Sequence, residues 1–360
     1  MSAFNVWTAT LLSLTASLST HAWQADIIVS GLNVPWGMSA FNDDQLMVTQ
    51  QNGEIGVVTL STGNYSTIAK LVQSQAYGQG GLLDVAHSPF NKHHFYFTYS
   101  KVVGSAIETT LARASYKDGT LSDWTDLVVT QSGSDTGRHF GSRITFDTHF
   151  VYFSVGDRGE RDNGQNLATH AGSILRVLPD GTTPPDNPFT NVKGARGEIW
   201  SYGHRNPQGL YYDRQSTTLW SIEHGPRGGD EINQIVKGAN YGWPVTSHGK
   251  EYWGPIAVGE ATEKEGIVSP TKVYIPSIAP SSLLLYRGSQ YPQLSGKLLA
   301  GALKLTHINV VKIDNNQAME EERILTELGE RIRDLEVLPN GEIVFSTDSG
   351  KIYRLVDEQN

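Results

Sequence analysis

Apolar and polar residues alternate at period two in short runs spread over the whole chain: "LMVTQ" (46–50), "FYFTY" (95–99), "VYFSV" (151–155), "LWSIE" (219–223), "LLAGA" (298–302) and "IVFST" (343–347). Such alternation predicts half-buried strands, and no stretch keeps a helical stripe. Each run sits inside a larger unit made of a small or Pro-containing start, an alternating strand, a polar turn and a second strand ending near Gly or Asp. The unit begins at Val34, Gly80, Gly141, Asn206, Ala279 and Arg331. Starts about 45 to 75 residues apart suit four-stranded propeller blades once insertions are allowed. A sandwich would need fewer strands, and a doubly wound fold would need helices between them. The expectation is an all-β, six-bladed β-propeller with four-stranded blades, one domain over 23–360. Two Gly/Pro/Asn-rich stretches, 156–193 and 241–277, read as loop insertions on one face.

Composition narrows the class. The 360 residues carry a net charge of -9, 18% charged residues and 37 glycines, a balance typical of compact, turn-rich β proteins. Without long Lys/Arg runs there is no nucleic-acid footprint. The absence of cysteine rules out disulfides, thiolate metal sites and a cysteine nucleophile. Residues 1–22, ending in "THA", have an apolar run too short and too Ser/Thr-rich to span a bilayer, and read as a signal peptide lacking its usual basic start. No later segment has the length and apolarity of a membrane helix. The expected setting is export, to a periplasmic compartment, as a monomer or homodimer.

In a propeller the innermost strands converge on the axis, so residues at corresponding blade starts become neighbours. Those starts hold Gln79 in "GQGG", His139 in "GRHFGSR", Arg205, Asn206 and Gln208 in "GHRNPQG", and Arg331 and Arg333 in "ERIRD", while "GALKLTH" adds Lys304. Taken alone, "GHRNPQG" reads first as a polar turn, and only second as a cluster of forked donors and amides suited to a flat ligand bearing carboxylates and carbonyls. Together, three arginines and a lysine aimed at one region would repel, which implies a bound anion, a polycarboxylate or phosphate.

The stretches "FGSRITF…VYFSVGDRG", "GSILRVLPDGTTPPDNPF", "IWSYGHRNPQGL", "EHGPRGGDEINQIVKGANYGWP" and "IAPSSLLLY" resemble the soluble aldose sugar dehydrogenases that use pyrroloquinoline quinone, the glucose/sorbosone dehydrogenase family, over nearly the whole chain after the signal. The resemblance implies a quinone- and calcium-dependent oxidation of aldoses, passing electrons to an acceptor that the sequence does not name. It matches Gln79, Arg205, Asn206, Lys304, Arg331 and Arg333 to cofactor contacts, with Gln208 beside them and Tyr252 in "KEYWG" on a loop that varies. It matches His139 to the catalytic base and Asp157 to the carboxylate that orients it. The carbonyls of Gly225 and Pro226 correspond to ligands of a calcium ion under the quinone, and Glu231 with the carbonyl of Tyr241 to ligands of a second, structural calcium. His204 and His224 flank the site.

Arg138 stands where the better-known glucose dehydrogenases of the family have an acidic residue, and Phe140 replaces a polar one, which points to the broader-specificity aldose branch. The competing readings are a calcium-stabilised propeller that binds sugars or a protein without redox chemistry, and a calcium-dependent lactonase. The first would lose the cationic cluster, which this chain keeps. The second would need several axial acids, where this chain has cations and amides.

Overall fold

The computed structural model describes residues 23–315 and 317–358. Six four-stranded antiparallel sheets succeed one another along the chain. Their inner strands are Pro35–Ala40, Leu82–His87, Ile144–Phe146, Pro207–Asp213, Pro280–Leu285 and Ile332–Val337, in blades one to six. All six repeat starts read from the sequence fall on, or within a few residues of, these strands. The sixth blade is closed by the chain's beginning: Trp23–Val29 forms its outer strand, antiparallel to Lys351–Asp357, with Trp23 opposite Asp357. The described part of the chain thus becomes a ring without an open sheet edge between its ends.

The blades hold one another by a recurring bond. A hydroxyl reaches a carbonyl on the path into the next blade's inner strand: Thr49 to Leu83, Thr98 to Ser142, Ser154 to Pro207, Ser281 to Ile332 and Ser346 to Pro35, at 2.5–2.9 Å. Between blades five and six the bond comes from the inner strand itself. Gly301 makes room for it, since a Cβ there would come within 2.6 Å of the Ser281 hydroxyl oxygen. Between blades four and five Ser221 makes no such bond; His224 supplies it instead, its Nε2 lying 2.6 Å from the Pro280 carbonyl.

Midway along the axis the channel is plugged. Arg143 is buried with its guanidinium 4.4 Å from the Trp36 ring centroid. Its Nη1 donates to Asp84 at 2.8 Å and lies 2.9 Å from Asp334. Its other nitrogens donate to the carbonyls of Gln208, Ser281 and Arg333 at 2.8–3.0 Å. One forked cation thereby joins five blades, a geometry that a lysine's point charge could not reproduce. The plug separates the axial cavity that carries the candidate chemistry from a second one at the opposite mouth.

The two stretches read as loops contain more structure than the sequence suggested. Ser173–Val177 is the third strand of blade three, Lys272–Tyr274 is the outer strand of blade four, and Arg161–Gln165 is a 3-10 turn. Ser173–Val177 is buried on both faces, so it lacks the alternation that exposes a strand to sequence reading. Lys272–Tyr274 is too short to show a period. The stretches also pack on each other, Arg161 forking onto Glu251 at 2.7 and 2.8 Å, and at the edge of the second stretch the Asn240 amide bonds reciprocally with Gln165 at 2.7 and 3.0 Å.

Candidate active site

On the side of the plug where the blade starts converge lies a cavity of about 300 Å³ lined by Trp36, Gln79, Asn206, Gln208, Arg331 and Arg333, among others. His224 borders both this cavity and an adjoining cleft lined by Arg205, Gly225, Pro226, Glu231 and Tyr241. The topology therefore brings most of the sequence-selected residues into two neighbouring spaces. Lys304 is exposed just beyond Leu303, which lines the cavity, and makes no ion pair among the described residues. Tyr252 lies apart, 65% exposed on its loop and outside the cavity lining.

His139 and Asp157 form a pair, with Nδ1 and Oδ1 2.6 Å apart. Asp157 is buried and each of its oxygens is used: Oδ1 also accepts the Gly159 amide at 2.8 Å, and Oδ2 accepts Trp243 Nε1 at 2.8 Å. Burial pushes its pKa up, but the His139 hydrogen bond, the Arg205 charge and the Gly159 amide outweigh it and hold the carboxyl below its ordinary value. An ionised Asp157 keeps the proton on Nδ1 and leaves the lone pair on Nε2. That Nε2 has no hydrogen-bond partner among the described residues, and the side chain is 13% exposed. Burial first, and then Arg205 and Arg138, lower the imidazole pKa against the upward pull of Asp157, so the ring is neutral at neutral pH and able to accept a proton. Gln79 fixes the backbone, its Oε1 accepting the His139 amide at 2.8 Å.

The other two histidines are committed elsewhere. His204 is fully buried between Ser201 and Glu223, each 2.9 Å from a ring nitrogen. That serine–histidine–carboxylate row has no access to solvent and is a structural strut. His224 bonds the Pro280 carbonyl, and burial, with Arg205 adding, pushes its pKa down to about 3. Of the amides, Asn206 Oδ1 accepts the Gly141 amide at 3.1 Å and Gln208 Nε2 donates to the Gly141 carbonyl at 2.8 Å, so both also brace the turn behind His139.

The expectation that the cations need an external anion is corrected in part. Asp348 supplies one: Arg331 Nε donates to it at 2.7 Å and Arg333 donates twice, at 2.7 and 3.1 Å. Sequence reading passed over Asp348, yet it follows the second strand of its blade (Ile343–Thr347), as Asp157 nearly does after Val151–Val155. Comparing blades at that point would have found it. Trp243 was likewise quoted in "NYGWP" without a role, because its partner lies 86 residues away. Arg205 remains without a carboxylate among the described residues. Its Nη1 reaches the His224 carbonyl at 3.3 Å, and its Nε is buried with no partner.

The adjoining cleft is made of oxygens. Among the described residues the Gly225 and Tyr241 carbonyls accept no hydrogen bond, and the Pro226 carbonyl accepts only a long one, 3.4 Å from the Ser277 hydroxyl. Glu231 and Glu223 share the Asn233 amide at 3.4 and 3.3 Å. Burial, with the Glu223 charge adding, pushes the Glu231 carboxyl up to about 8.

Comparison with known proteins gives the family. Residues 32–354 match the family described as Glucose / Sorbosone dehydrogenase. Aldose sugar dehydrogenase YliI of Escherichia coli is 34% identical over 358 residues, covering 94% of this chain and 95% of the relative. Quinoprotein glucose dehydrogenase B of Acinetobacter calcoaceticus is 27% identical over 416 residues, covering 92% and 86%. The crystal structure of the soluble aldose sugar dehydrogenase from Escherichia coli in its apo form superimposes with a TM-score of 0.90 at 32% identity, over 94% of this chain and all of that one. The chain belongs to the glucose/sorbosone dehydrogenase family, a family of sugar-oxidising dehydrogenases.

Proposed function

We propose that this protein oxidises aldose sugars at the anomeric carbon to lactones, using pyrroloquinoline quinone and calcium, with His139 as the general base. The observation that carries this reading is the His139–Asp157 pair, whose Nε2 has no partner among the described residues, standing beside a cavity whose arginines are only partly met by Asp348 and next to Arg205, which has no carboxylate among the described residues.

The donor set fits the proposed groups. A flat tricarboxylate would find the partnerless Nε of Arg205, the unpaired Lys304, and the donors of Arg331 and Arg333 not taken by Asp348. The Gly225 and Pro226 carbonyls would hold the calcium beside the quinone, and Glu231 with the Tyr241 carbonyl a second, structural one, since calcium takes oxygen ligands that include main-chain carbonyls. When bound, the quinone with its calcium supplies the two-electron acceptor for the hydride.

The chain's own part is to place and move the proton. His139 Nε2 accepts the proton of the anomeric hydroxyl as the carbon–hydrogen bond breaks and the carbonyl of the lactone forms. Asp157 holds Nδ1–H and stabilises the imidazolium that results. Gln79, through the His139 amide, keeps the ring's backbone in register with the cavity. The N-terminal signal reading places the reaction in the periplasm; residues 1–22 lie outside those described, and no helix among the described residues is long and apolar enough to cross a membrane.

The test is reconstitution: apoprotein is titrated with quinone in the presence of calcium and assayed for dye-linked aldose oxidation. Turnover that needs both supports the reading. Full turnover without either, or quinone-independent sugar binding alone, contradicts it and favours the non-redox sugar-binding propeller.

A further inference from the structure

We infer that Arg158 is a positioning residue for the His139–Asp157 pair, a buried clip that fastens the segment carrying the proposed base to the loop carrying its acid. The inference rests on the reading of His139 as base, and goes beyond it in naming what holds the base in place.

Arg158 follows Asp157 directly and is fully buried. Its guanidinium donates to three carbonyls: Arg138 through Nη1, and Thr136 at 2.7 Å and Ile107 at 3.0 Å through Nη2. The carbon at the centre of the fork lies 3.5 Å from the Phe140 ring centroid. His139 is thus flanked on both sides by residues that Arg158 holds. The attachment runs the other way as well, because the Arg158 carbonyl accepts the hydroxyls of Ser134 at 2.8 Å and Thr136 at 2.7 Å. Ile107, on the strand Ala106–Lys117, anchors the clip to blade two.

Three points argue that this is more than packing. First, His139 and Arg158 both have left-handed backbones, at φ 58° and 57°. Non-glycine residues hold that conformation only where their surroundings over-determine it, and here each contributes to fixing the other. Second, Arg158 makes no ion pair among the described residues, and burial brings its pKa down to about 10, still charged at neutral pH. A charge buried without a carboxylate is costly, and a neutral side chain could have filled the volume. What an apolar residue cannot supply is a rigid fork of donors that ties the Thr136 and Arg138 carbonyls, in a segment with no sheet partner, to the Ile107 carbonyl on its strand. Third, the 2.6 Å His139–Asp157 contact joins two irregular segments, and the clip is the buried link between them.

The experiment uses the apoprotein and the reconstituted enzyme together. In the apoprotein the Nδ1 proton of His139, held in a short bond to Asp157, should appear by NMR as a resonance far downfield that His139→Gln abolishes. Arg158→Gln is expected to broaden or shift that resonance. It should also lower kcat on the order of 10²-fold with little change in KM, the usual cost of displacing a catalytic group by about an ångström. Arg158→Lys, which keeps the charge and reaches fewer carbonyls, should recover part of both. A wild-type resonance and wild-type kcat in Arg158→Gln, with only the melting temperature lowered, would reduce Arg158 to packing and overturn the inference. If Arg158→Gln does not fold, Thr136→Val removes only a hydroxyl from the return attachment. It should disturb the same resonance with a smaller loss of kcat, and an unchanged resonance there overturns the inference equally. Because the resonance is read without quinone or sugar, failure of the clip is distinguishable from failure of His139 as base.

Discussion

Trp243 Nε1 donates to Asp157 at 2.8 Å, on the carboxylate oxygen opposite the one that holds His139. A residue of the long blade-four insertion thus completes a pair built by blade three. Trp243→Phe keeps an aromatic ring but removes the donor together with part of the indole's buried volume, leaving one oxygen of a buried carboxylate unsatisfied. An unmade buried bond to a charged group costs roughly 1.5 to 3 kcal/mol. The expected result is a lowered melting temperature and a rate of sugar oxidation reduced about tenfold, with quinone affinity nearly unchanged, checked by calorimetry and single-turnover mixing. Unchanged oxidation with unchanged stability would mean that Asp157 does not need this partner.

Arg205→Ala should weaken quinone binding while the fold survives. The side chain contributes only one long hydrogen bond to the protein, at 3.3 Å, so its removal leaves little unsatisfied. A charge-assisted contact is worth about 1.5 to 3 kcal/mol, which corresponds to a dissociation constant raised about 10- to 100-fold. Titrating quinone into the apoprotein and following its absorbance gives the number. An unchanged constant would remove Arg205 from the cofactor site.

Beyond the Arg143 plug, Glu336 faces the cavity at the opposite mouth and forms no ion pair among the described residues; its Oε1 accepts the Ala40 amide at 2.8 Å. Burial, with Asp334 and Asp84 adding and the Ala40 amide opposing, pushes its carboxyl up to about 8. The folded state therefore binds this proton more tightly than the unfolded one. Its contribution to stability is fully present below the ordinary carboxyl value near 4.5 and is lost as pH rises through about 8. Glu336→Gln keeps the acceptor for Ala40 and cannot ionise. Urea melts should show nearly equal stability of the two proteins at pH 4 and a gain of roughly 3 to 5 kcal/mol for Glu336→Gln at pH 9, the value of a shift from near 4.5 to about 8. Equal stability at both would place Glu336 in effective contact with water.

How much of this was legible in the sequence follows from which forces are local. Inner and second strands announce themselves, as in Ile343–Thr347 and Val151–Val155, because Gly, Pro and the period of two are read within a few residues. Ring closure by Trp23–Val29 on Lys351–Asp357 has no local signature, since the partners stand at opposite ends of the chain. Within the site, residues at the blade starts were found because the repeat aligns them on the axis. Trp243, Arg158 and Asp348 were not singled out, because each acts through another residue. In "GDRG" the carboxylate drew attention and the arginine beside it did not, although it is the arginine that ties the two segments together. The two readings of "GHRNPQG" both hold in part: Asn206 and Gln208 do brace a turn, and the same residues line the cavity.

The central claim, that His139 removes the sugar's hydroxyl proton, is tested most directly by His139→Gln in single-turnover mixing with quinone-loaded enzyme and an aldose carrying deuterium at the anomeric carbon. General-base catalysis is worth about 10² to 10⁴ in rate. The variant should bind quinone with near wild-type affinity and reduce it slower by that factor, with the deuterium effect retained. In the wild type the acid limb of the rate profile should fall below the ordinary histidine value, because burial and Arg205 lower the imidazole pKa and a base works only where it is unprotonated. Quinone reduction by His139→Gln at the wild-type rate, with the acid limb unmoved, would contradict the assignment.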